Sequence, residues 1–383
     1  MKRSWIQTIL TIVILLGITT ALYLYTAGYR VNREQDSPID IKITGMIGAK
    51  SLPDGASVYV DGNLVTATDD TIAGLTPGEY NLRIVKNGFV EWEKTVQVFP
   101  ELVTDITAIL VSKSPRLEPL TNTGATSPTM SPSLTKLAYF SEDETSPGIW
   151  VIPLSTEGLS LFRSNPYIVL QDTPFRFYSR GKNMTWSPDE TELLVETDGG
   201  IFFLVDLTTN TAQASAAPDL ILEEWQKEIT KKRQDFIEGF AIPEELAKIA
   251  ISPETVWAPD EKKFLYKVET DTTIEYKVYN MEKPIPIGER VETTVLVLNK
   301  DQPQPELNWY SDSFHLVMTE LDPENTTRGT ISLIRIDGTN KTEVYNNTLY
   351  SNNVVSSPNG DKLIILTSFK SGDQTDLYTV SIR

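Results

Sequence analysis

A five-residue motif recurs along this chain at intervals that suit a repeated structural unit. Its clearest copies are Trp186-Ser187-Pro188-Asp189-Glu190 and Trp257-Ala258-Pro259-Asp260-Glu261. Three weaker copies are Met130-Ser131-Pro132-Ser133, Trp309-Tyr310-Ser311-Asp312 and Ser356-Ser357-Pro358-Asn359-Gly360. An apolar run typical of a β-strand follows each copy. A fixed turn followed by a strand, repeated in this way, indicates a repeat protein.

The spacing of the motif suits the blades of a β-propeller. Most copies lie about 50 residues apart, close to the length of one four-stranded blade. One interval is about twenty residues longer, and it contains the one segment that is typical of a helix, residues 219–248, which Pro243 interrupts. We interpret this segment as an insertion outside the blades. Five blades are recognisable, and the count becomes six if the long interval conceals another.

The final repeat stops after its third strand, which predicts how the ring closes. The segment Arg116-Leu117-Glu118-Pro119-Leu120-Thr121 has the character of the missing fourth strand. If it pairs with the final strand Leu377–Ile382, the ring has no open sheet edge.

The repeat also carries a family resemblance. The order Trp-Ser-Pro-Asp, short loop, apolar strand and then Ile-x-x-x-Asp-Leu resembles the repeats of TolB-like and WD40-like propellers. The resemblance covers residues 113–383 and implies a β-propeller. It implies no catalytic residue, since no Gly-x-Ser-x-Gly elbow and no hydrolase domain accompany it.

Residues 41–112 predict a second, smaller β domain, because short alternating strands are separated there by glycine turns. Four motifs fall in order: Pro53-Asp54-Gly55-Ala56, Val58-Tyr59-Val60-Asp61-Gly62, Leu75-x-Pro77-Gly78-x-Tyr80 and Lys86-x-Gly88-Phe89-x-x-Trp92. This order resembles a PEGA domain, although Asp54 stands in place of the glutamate. The resemblance implies a small β-sandwich of prokaryotic surface and envelope proteins, with no catalytic residues.

Residues 1–29 predict a transmembrane signal anchor. The stretch from Trp5 to Tyr25 has no charge and is long enough to span a bilayer. Lys2 and Arg3 favour a cytoplasmic N-terminus and an extracytoplasmic remainder, so the predicted location is the cell membrane, with a single pass. A cleaved signal peptide is the competing interpretation, but Tyr25-Thr26-Ala27 lacks the small residues of a cleavage site. Residues 30–40 are polar and predict a linker.

Composition limits the chemistry of the chain. It has 383 residues, a formal net charge of −18 and no cysteine, so disulfides, thiolate metal sites and cysteine nucleophiles are excluded. The acidic charge argues against nucleic acid as a partner. His315 is the only histidine. The acidic runs Asp69-Asp70 and Glu142-Asp143-Glu144 lack the spacing of a calcium loop. We therefore predict no cofactor, no metal and no catalytic residue.

The positions that the pattern singles out are structural. We expect the glycines to adopt positive φ at turns, and the tryptophans to pack between blades rather than to form a ring of ligand contacts. Lys231-Lys232-Arg233 is interpreted as a solvated helix face. The turn and repeat positions are Gly55, Gly62, Gly78, Gly88, Trp186, Pro188, Trp257, Pro259, Trp309 and Pro358.

These features predict a mainly β protein: a transmembrane helix, a PEGA-like β-sandwich and a propeller with one helical insertion. The function that fits best is a non-enzymatic, membrane-anchored envelope protein whose propeller binds another envelope protein or a cell-wall polymer. The alternative is an extracytoplasmic glycan-processing enzyme that uses carboxylates in the propeller channel.

Overall fold

The computed structural model describes residues 2–26, 29–32, 40–154, 166–369 and 374–383. These residues are mainly β, with three helices. Their contacts divide the chain into two compact units, which are Met1–Leu110 with Lys283–Arg290, and Val111–Glu282 with Val291–Arg383.

The first unit begins with helix α1, Lys2–Thr26. In the described part of the chain, no helix meets the length and apolarity that a membrane crossing requires. Strands β1 (Tyr29–Asn32) and β2 (Asp40–Ile43) follow and pair antiparallel. They overlap the predicted linker at residues 30–40, of which residues 33–39 lie outside the described residues.

Two sheets form the rest of this unit. One has the strand order β6-β3-β9, with β3 and β9 parallel, and the other has the order β5-β4-β7-β8. Alternate side chains of both sheets enter one apolar core, which includes Ile47, Val58, Leu82 and Trp92, as the predicted β-sandwich requires. The strands are β3 (Gly45–Leu52), β4 (Ser57–Val60), β5 (Asn63–Ala67), β6 (Asp70–Leu75), β7 (Gly78–Val85), β8 (Trp92–Val98) and β9 (Val103–Ile109).

Two turns of this unit show why its motifs have their residues. Asp61 and Gly62 have φ of 47° and 80°, the backbone that a two-residue hairpin between β4 and β5 needs. The ammonium of Lys86 donates to the carbonyl oxygens of Asp54 at 2.7 Å and Gly55 at 3.4 Å. The first and last motifs of the domain therefore meet in the folded state.

The second unit contains twenty strands and two helices among its described residues. The strands are β10 (Leu117–Pro119), β11 (Thr126–Met130), β12 (Lys136–Ser141), β13 (Gly148–Pro153), β14 (Tyr167–Gln171), β15 (Gly181–Trp186), β16 (Glu192–Thr197), β17 (Phe202–Asp206), β18 (Thr211–Ser215), β19 (Val256–Trp257), β20 (Lys263–Glu269), β21 (Thr273–Asn280), β22 (Glu292–Asn299), β23 (Glu306–Trp309), β24 (His315–Leu321), β25 (Arg328–Arg335), β26 (Thr342–Thr348), β27 (Val355–Ser356), β28 (Lys362–Thr367) and β29 (Asp376–Ser381). The helices are α2 (Pro218–Ile237) and α3 (Glu244–Ala250).

These strands form five antiparallel four-stranded sheets within the described residues, which are the blades of a propeller. Blades 1 to 4 are β11–β14, β15–β18, β19–β22 and β23–β26, each in sequence order. Blade 5 has the order β10-β29-β28-β27. Leu117 pairs with Val380 and Pro119 with Tyr378, so the ring closes as the sequence predicts. The first strands of neighbouring blades contact each other in the pairs β11–β15, β19–β23 and β23–β27, which places them at the centre.

The motif turns share one backbone geometry in all five blades. The backbone N–H of the first turn residue donates across the turn, as Ser187 N does to Glu192 O at 3.0 Å. The fourth turn residue has a positive φ of between 56° and 67° in every blade, and only one of the five is glycine. These residues are Leu134, Glu190, Glu261, Ser313 and Gly360. We call the side of the propeller that carries these turns the turn face, and the opposite side the cavity face.

The helical segment lies between blades 2 and 3, outside their four-stranded sheets, and packs against blade 3. Side chains of β20 alternate, so that Leu265 packs toward blade 4 while Phe264 and Tyr266 pack against the helices. Ile237 and Ala250 are buried in the same cluster as Phe264. The segment consists of two helices, 218–237 and 244–250, and the second begins directly after Pro243, where the sequence predicts the interruption. The helices thus cover one face of blade 3.

Candidate functional site

The repeated tryptophans lie in packing positions. Trp186 Nε1 donates to the carbonyl oxygen of Thr129 at 3.2 Å, and Trp309 Nε1 donates to that of Val256 at 2.8 Å. Both acceptors lie on the first strand of the preceding blade. Trp257 differs, because its Nε1 donates to Ala250 O of α3 at 2.9 Å. The helices therefore supply at blade 3 the contact that a preceding blade supplies elsewhere.

The other singled-out positions are turn residues. Gly55, Gly62 and Gly88 have φ of 67°, 80° and 84°, and Gly78 has 158°. Pro188, Pro259 and Pro358 each occupy the second position of a motif turn. The structure does not bring these glycines and prolines together into one site, since each remains in its own turn.

A polar cluster is buried on the turn face between blades 3 and 4. The Lys263 ammonium, which has no exposed side-chain surface, lies 2.6 Å from Asp260 Oδ2 and 3.1 Å from Glu282 Oε1. It also lies 4.1 Å from the ring centroid of Phe314. The second oxygen of Glu282, Oε2, is buried without a hydrogen-bond partner. The cluster fills the space between blades and leaves no cavity for a ligand among its own atoms.

His315 is 2% exposed and belongs to its own motif turn. Its Nδ1 lies 2.7 Å from Asp312 Oδ2. Burial raises the pKa of Asp312, but the charge of His315 and the hydrogen bonds from His315 and Phe314 outweigh it, so the pKa is below its ordinary value. No serine hydroxyl bonds to the imidazole among the described hydrogen bonds, and the pair holds the turn together.

The best-formed cavity lies on the cavity face at blade 4 and has a volume of about 690 Å³. Three connections line it: the β22–β23 connection, the β24–β25 connection and the β26–β27 connection. Pro303, Pro305, Leu321 and Pro323 provide apolar wall, while the polar lining residues are Gln304, Glu306, Thr319, Glu320, Asp322, Arg328, Thr330, Asn346 and Asn352. The lining thus combines apolar wall with several polar groups.

Several polar groups of this cavity have unused bonding capacity. Thr319 Oγ1 is buried without a hydrogen-bond partner. Glu306 and Arg328 form no ion pair with any residue that the structure describes, although both line the cavity. Glu320 is paired with Lys341 at 3.0 Å, and Asp322 Oδ1 accepts the N–H of Glu324 at 2.9 Å. With three carboxylates and one guanidinium, the lining is acidic.

Sequence reasoning did not find this cavity, because its residues lie on the strands and connections of blade 4 and not in the motif turn. The only local signals are Pro303-x-Pro305 and Asp322-Pro323, which mark connections without saying that they meet. Within the described ranges, no group of three or more His, Asp or Glu side chains is arranged to hold a metal ion. Of the basic run, Lys231 and Lys232 are exposed, whereas Arg233 donates to Ser252 O at 3.1 Å.

Comparison with known proteins adds to this architecture. The PEGA domain family matches residues 44–114, and no curated protein sequence matches the chain. Among solved structures, the chain is similar to TolB from Acinetobacter baumannii, at 13% identity over 79% of this chain and 59% of that one, with a TM-score of 0.28. It is also similar to oligogalacturonate lyase from Vibrio parahaemolyticus, at 10% identity over 93% and 96%, with a TM-score of 0.31.

A third similar structure is the C-terminal WD40 domain of Sif2, at 8% identity over 93% of this chain and 98% of that one, with a TM-score of 0.30. The chain spans less than two thirds of the length of the TolB chain. The propeller assignment rests on the strand order, the closed ring and the five equivalent turns, and it does not depend on these three similar structures.

Proposed function

Because the chain joins a PEGA domain to a TolB-like β-propeller, we propose that it is a non-enzymatic envelope protein whose propeller is a binding scaffold. Residues 5–25 anchor it in the cell membrane with a cytoplasmic N-terminus. The partner is an envelope protein or a cell-wall polymer, and it binds in the cavity at blade 4.

The observation that carries the binding proposal is the set of unused polar groups in that cavity. Glu306 and Arg328 offer an acceptor and a donor in the same cavity, so the ligand is polar, with hydroxyl, amide or cationic groups.

The anchor proposal is supported by the surface of α1. Large apolar side chains are exposed along it, among them Trp5, Leu10, Leu16 and Leu22. Contiguous exposed apolar surface of this kind marks a membrane or protein contact. The full chain is expected to stay with membranes after carbonate and high-salt washing, whereas a chain that begins at Ile41 is released. Release of the full chain would contradict the anchor.

Binding is tested by crosslinking in intact envelopes followed by purification of the full chain. We expect a stoichiometric partner that is lost when Glu306→Gln and Arg328→Gln are combined. The matched control combines Glu261→Gln with Lys262→Gln, which removes the same charges from exposed positions of the blade 3 turn. Equal recovery from both double variants would exclude the cavity as the binding site.

One observation favours the enzymatic alternative, which is that Glu306, Glu320 and Asp322 line one cavity. Paired carboxylates are the groups that glycoside hydrolysis uses. The purified chain would then release reducing ends from cell-wall glycan, and Glu306→Gln would abolish the release. If a folded preparation binds glycan but releases no reducing ends, the result excludes the enzymatic alternative and favours the scaffold function.

A further inference from the structure

An exposed aromatic hairpin lies between blades 1 and 2, in the connection from β14 to β15. Thr173 and Arg176 exchange backbone hydrogen bonds at 2.9 and 3.2 Å. The Asp172 carboxylate accepts the N–H and the hydroxyl of Ser179 at 2.8 and 2.7 Å. These bonds hold the loop in one conformation, with Phe175 at its tip. We call residues 172–180 the Phe175 hairpin.

The hairpin presents apolar surface that the fold does not use. The Phe175 side chain is 93% exposed, and Phe177 is 51% exposed. An exposed aromatic side chain on a fixed backbone loses little conformational entropy on binding, which is the character of an interface anchor. Phe175 and Phe177 lie two residues apart, so the hairpin presents two exposed aromatic side chains to a partner.

The hairpin is basic in an acidic protein. Arg180 lies 5.2 Å from the Phe177 ring centroid, and Arg176 lies 5.6 Å from that of Phe203. Lys182, the second residue of β15, is also exposed. The nearby ion pair of Arg180 with Glu142, at 3.4 Å, is exposed on both sides and easily exchanged. Three basic side chains, Arg176, Arg180 and Lys182, therefore lie close together in a chain whose net charge is −18.

Topology places the hairpin and the blade 4 cavity on the same side of the propeller. In a four-stranded antiparallel blade, the connection between strands two and three and the connection to the next blade leave from the same side. The Phe175 hairpin is a connection between blades, and the cavity is lined by two connections between blades and one between strands two and three. Both features therefore belong to the cavity face.

We infer that the Phe175 hairpin of one copy of this chain docks in the blade 4 cavity of a second copy. The occupant is a second copy because the two surfaces are complementary: the hairpin is basic and apolar, and the cavity is acidic with walls of proline and leucine. The cavity volume of about 690 Å³ is enough to admit the ring of Phe175 and a neighbouring arginine.

A two-fold axis satisfies both contacts at once. The hairpin and the cavity share one face. Two copies that meet by this face can therefore each insert a hairpin into the other's cavity, which gives an isologous and closed dimer. This inference rests on the proposed binding role of the cavity and names its occupant. Arg176 then meets Glu306 in the cavity of the other copy.

The test is the mass of the full chain in detergent micelles, measured by sedimentation with the micelle contribution subtracted. The unaltered chain is expected to dimerise at micromolar concentration. A hairpin variant that combines Phe175→Ser with Arg176→Glu, and a cavity variant Glu306→Lys, are each expected to weaken dimerisation at least tenfold. Thr208→Ser, an exposed change on the turn face of blade 2, is the control and leaves it unchanged.

Charge exchange makes the test specific. When a chain with Arg176→Glu is mixed with a chain with Glu306→Lys, both reciprocal contacts regain opposite charges, so the mixture is expected to form mixed dimers that neither variant forms alone. This rescue also shows that both variants are folded.

Three results would overturn the inference. The first is a monomer at all concentrations up to about 100 μM, well above the range expected of a specific dimer. The second is a dimer that the hairpin and cavity variants leave intact, which places the contact in α1 or elsewhere. The third is a monomer whose hairpin variant no longer binds a different envelope protein. The proposed function fails separately, since its test is the loss of a crosslinked partner from the cavity variant, whether or not the chain dimerises.

Discussion

The indole nitrogen of Trp309 donates a hydrogen bond to the carbonyl oxygen of Val256 at 2.8 Å, across the boundary between blades 4 and 3. Trp186 makes the equivalent bond to Thr129 between blades 2 and 1. The motif tryptophan thus ties blades 2 and 4 to their predecessors, which explains why a large aromatic residue with one donor stands just before the turn in these blades.

Replacement of Trp309 by phenylalanine is expected to destabilise the propeller by about 2 kcal/mol, because the buried carbonyl oxygen of Val256 loses its donor and the smaller ring packs less surface. Urea unfolding followed by circular dichroism measures the change. Trp150→Phe is the control, since Trp150 bonds only to Ser146 O of its own loop and is half-buried. An equal loss in both variants would contradict a special role for the bond between blades.

The ring closure predicts a second sensitive position, Thr121. Its hydroxyl donates to Asp376 Oδ1 at 2.9 Å and accepts the N–H of Leu377 at 2.9 Å, and both groups are buried. Thr121→Val keeps the shape but removes both bonds, so we expect a loss of about 1–3 kcal/mol in the free energy of unfolding. The exposed Thr123→Val is the control.

Deletion of residues 114–121 is expected to cause aggregation through the edge of β29, seen by light scattering.

The motif turn predicts opposite effects at two equivalent positions. Glu261 has φ of 56° and an exposed side chain, so Glu261→Gly relieves backbone strain and is expected to stabilise the protein by about 0.5–1 kcal/mol. Gly360 has φ of 67°, and a Cβ atom there would lie 2.3 Å from Ser311 Oγ and 2.7 Å from Tyr310 Oη. Gly360→Ala is therefore expected to lower the melting temperature. Opposite signs in thermal melts would support one shared turn geometry, and equal signs would refute it.

The Asp312–His315 pair predicts how stability depends on pH. The pKa of Asp312 is lower in the folded state than in the unfolded chain, so its contribution is present above about pH 4 and is lost as the pH falls through the folded pKa. Asp312→Asn is expected to destabilise the protein at pH 6, with a penalty that shrinks below pH 4. Asp271→Asn, at an exposed hairpin, serves as the control. A penalty that grows on acidification would contradict the sign of the shift.

Much of the fold could be predicted from residues close together in the sequence. Turns are decided locally, so Asp61-Gly62 and the five motif turns could be recognised from their own residues. Strand periodicity in Leu117–Thr121 and Leu377–Ile382, together with the incomplete last repeat, was enough to predict their pairing across the whole domain. The sandwich of residues 41–112 followed from four turn motifs in order.

The place of the helices could not be predicted in this way. The apolar residues of α2 and α3 show that the helices bury one side, but nothing in their sequence says which surface they cover. Phe264 and Tyr266 of β20 point to the side of the sheet that faces these helices, and that choice depends on how blade 3 sits in the ring.

The sequence by itself determined the turns, the strands, the repeat and the closing strand, because each depends on backbone preference and on a short apolar pattern. The tertiary structure alone decided that Pro303, Leu321, Arg328 and Asn352 meet around one cavity, because the pairing of the blade 4 strands brings their ends and the adjoining connections together. It also decided that Trp257 bonds to helix α3 rather than to a neighbouring blade. Side chains that meet only through such pairing and packing leave no periodic pattern in the sequence.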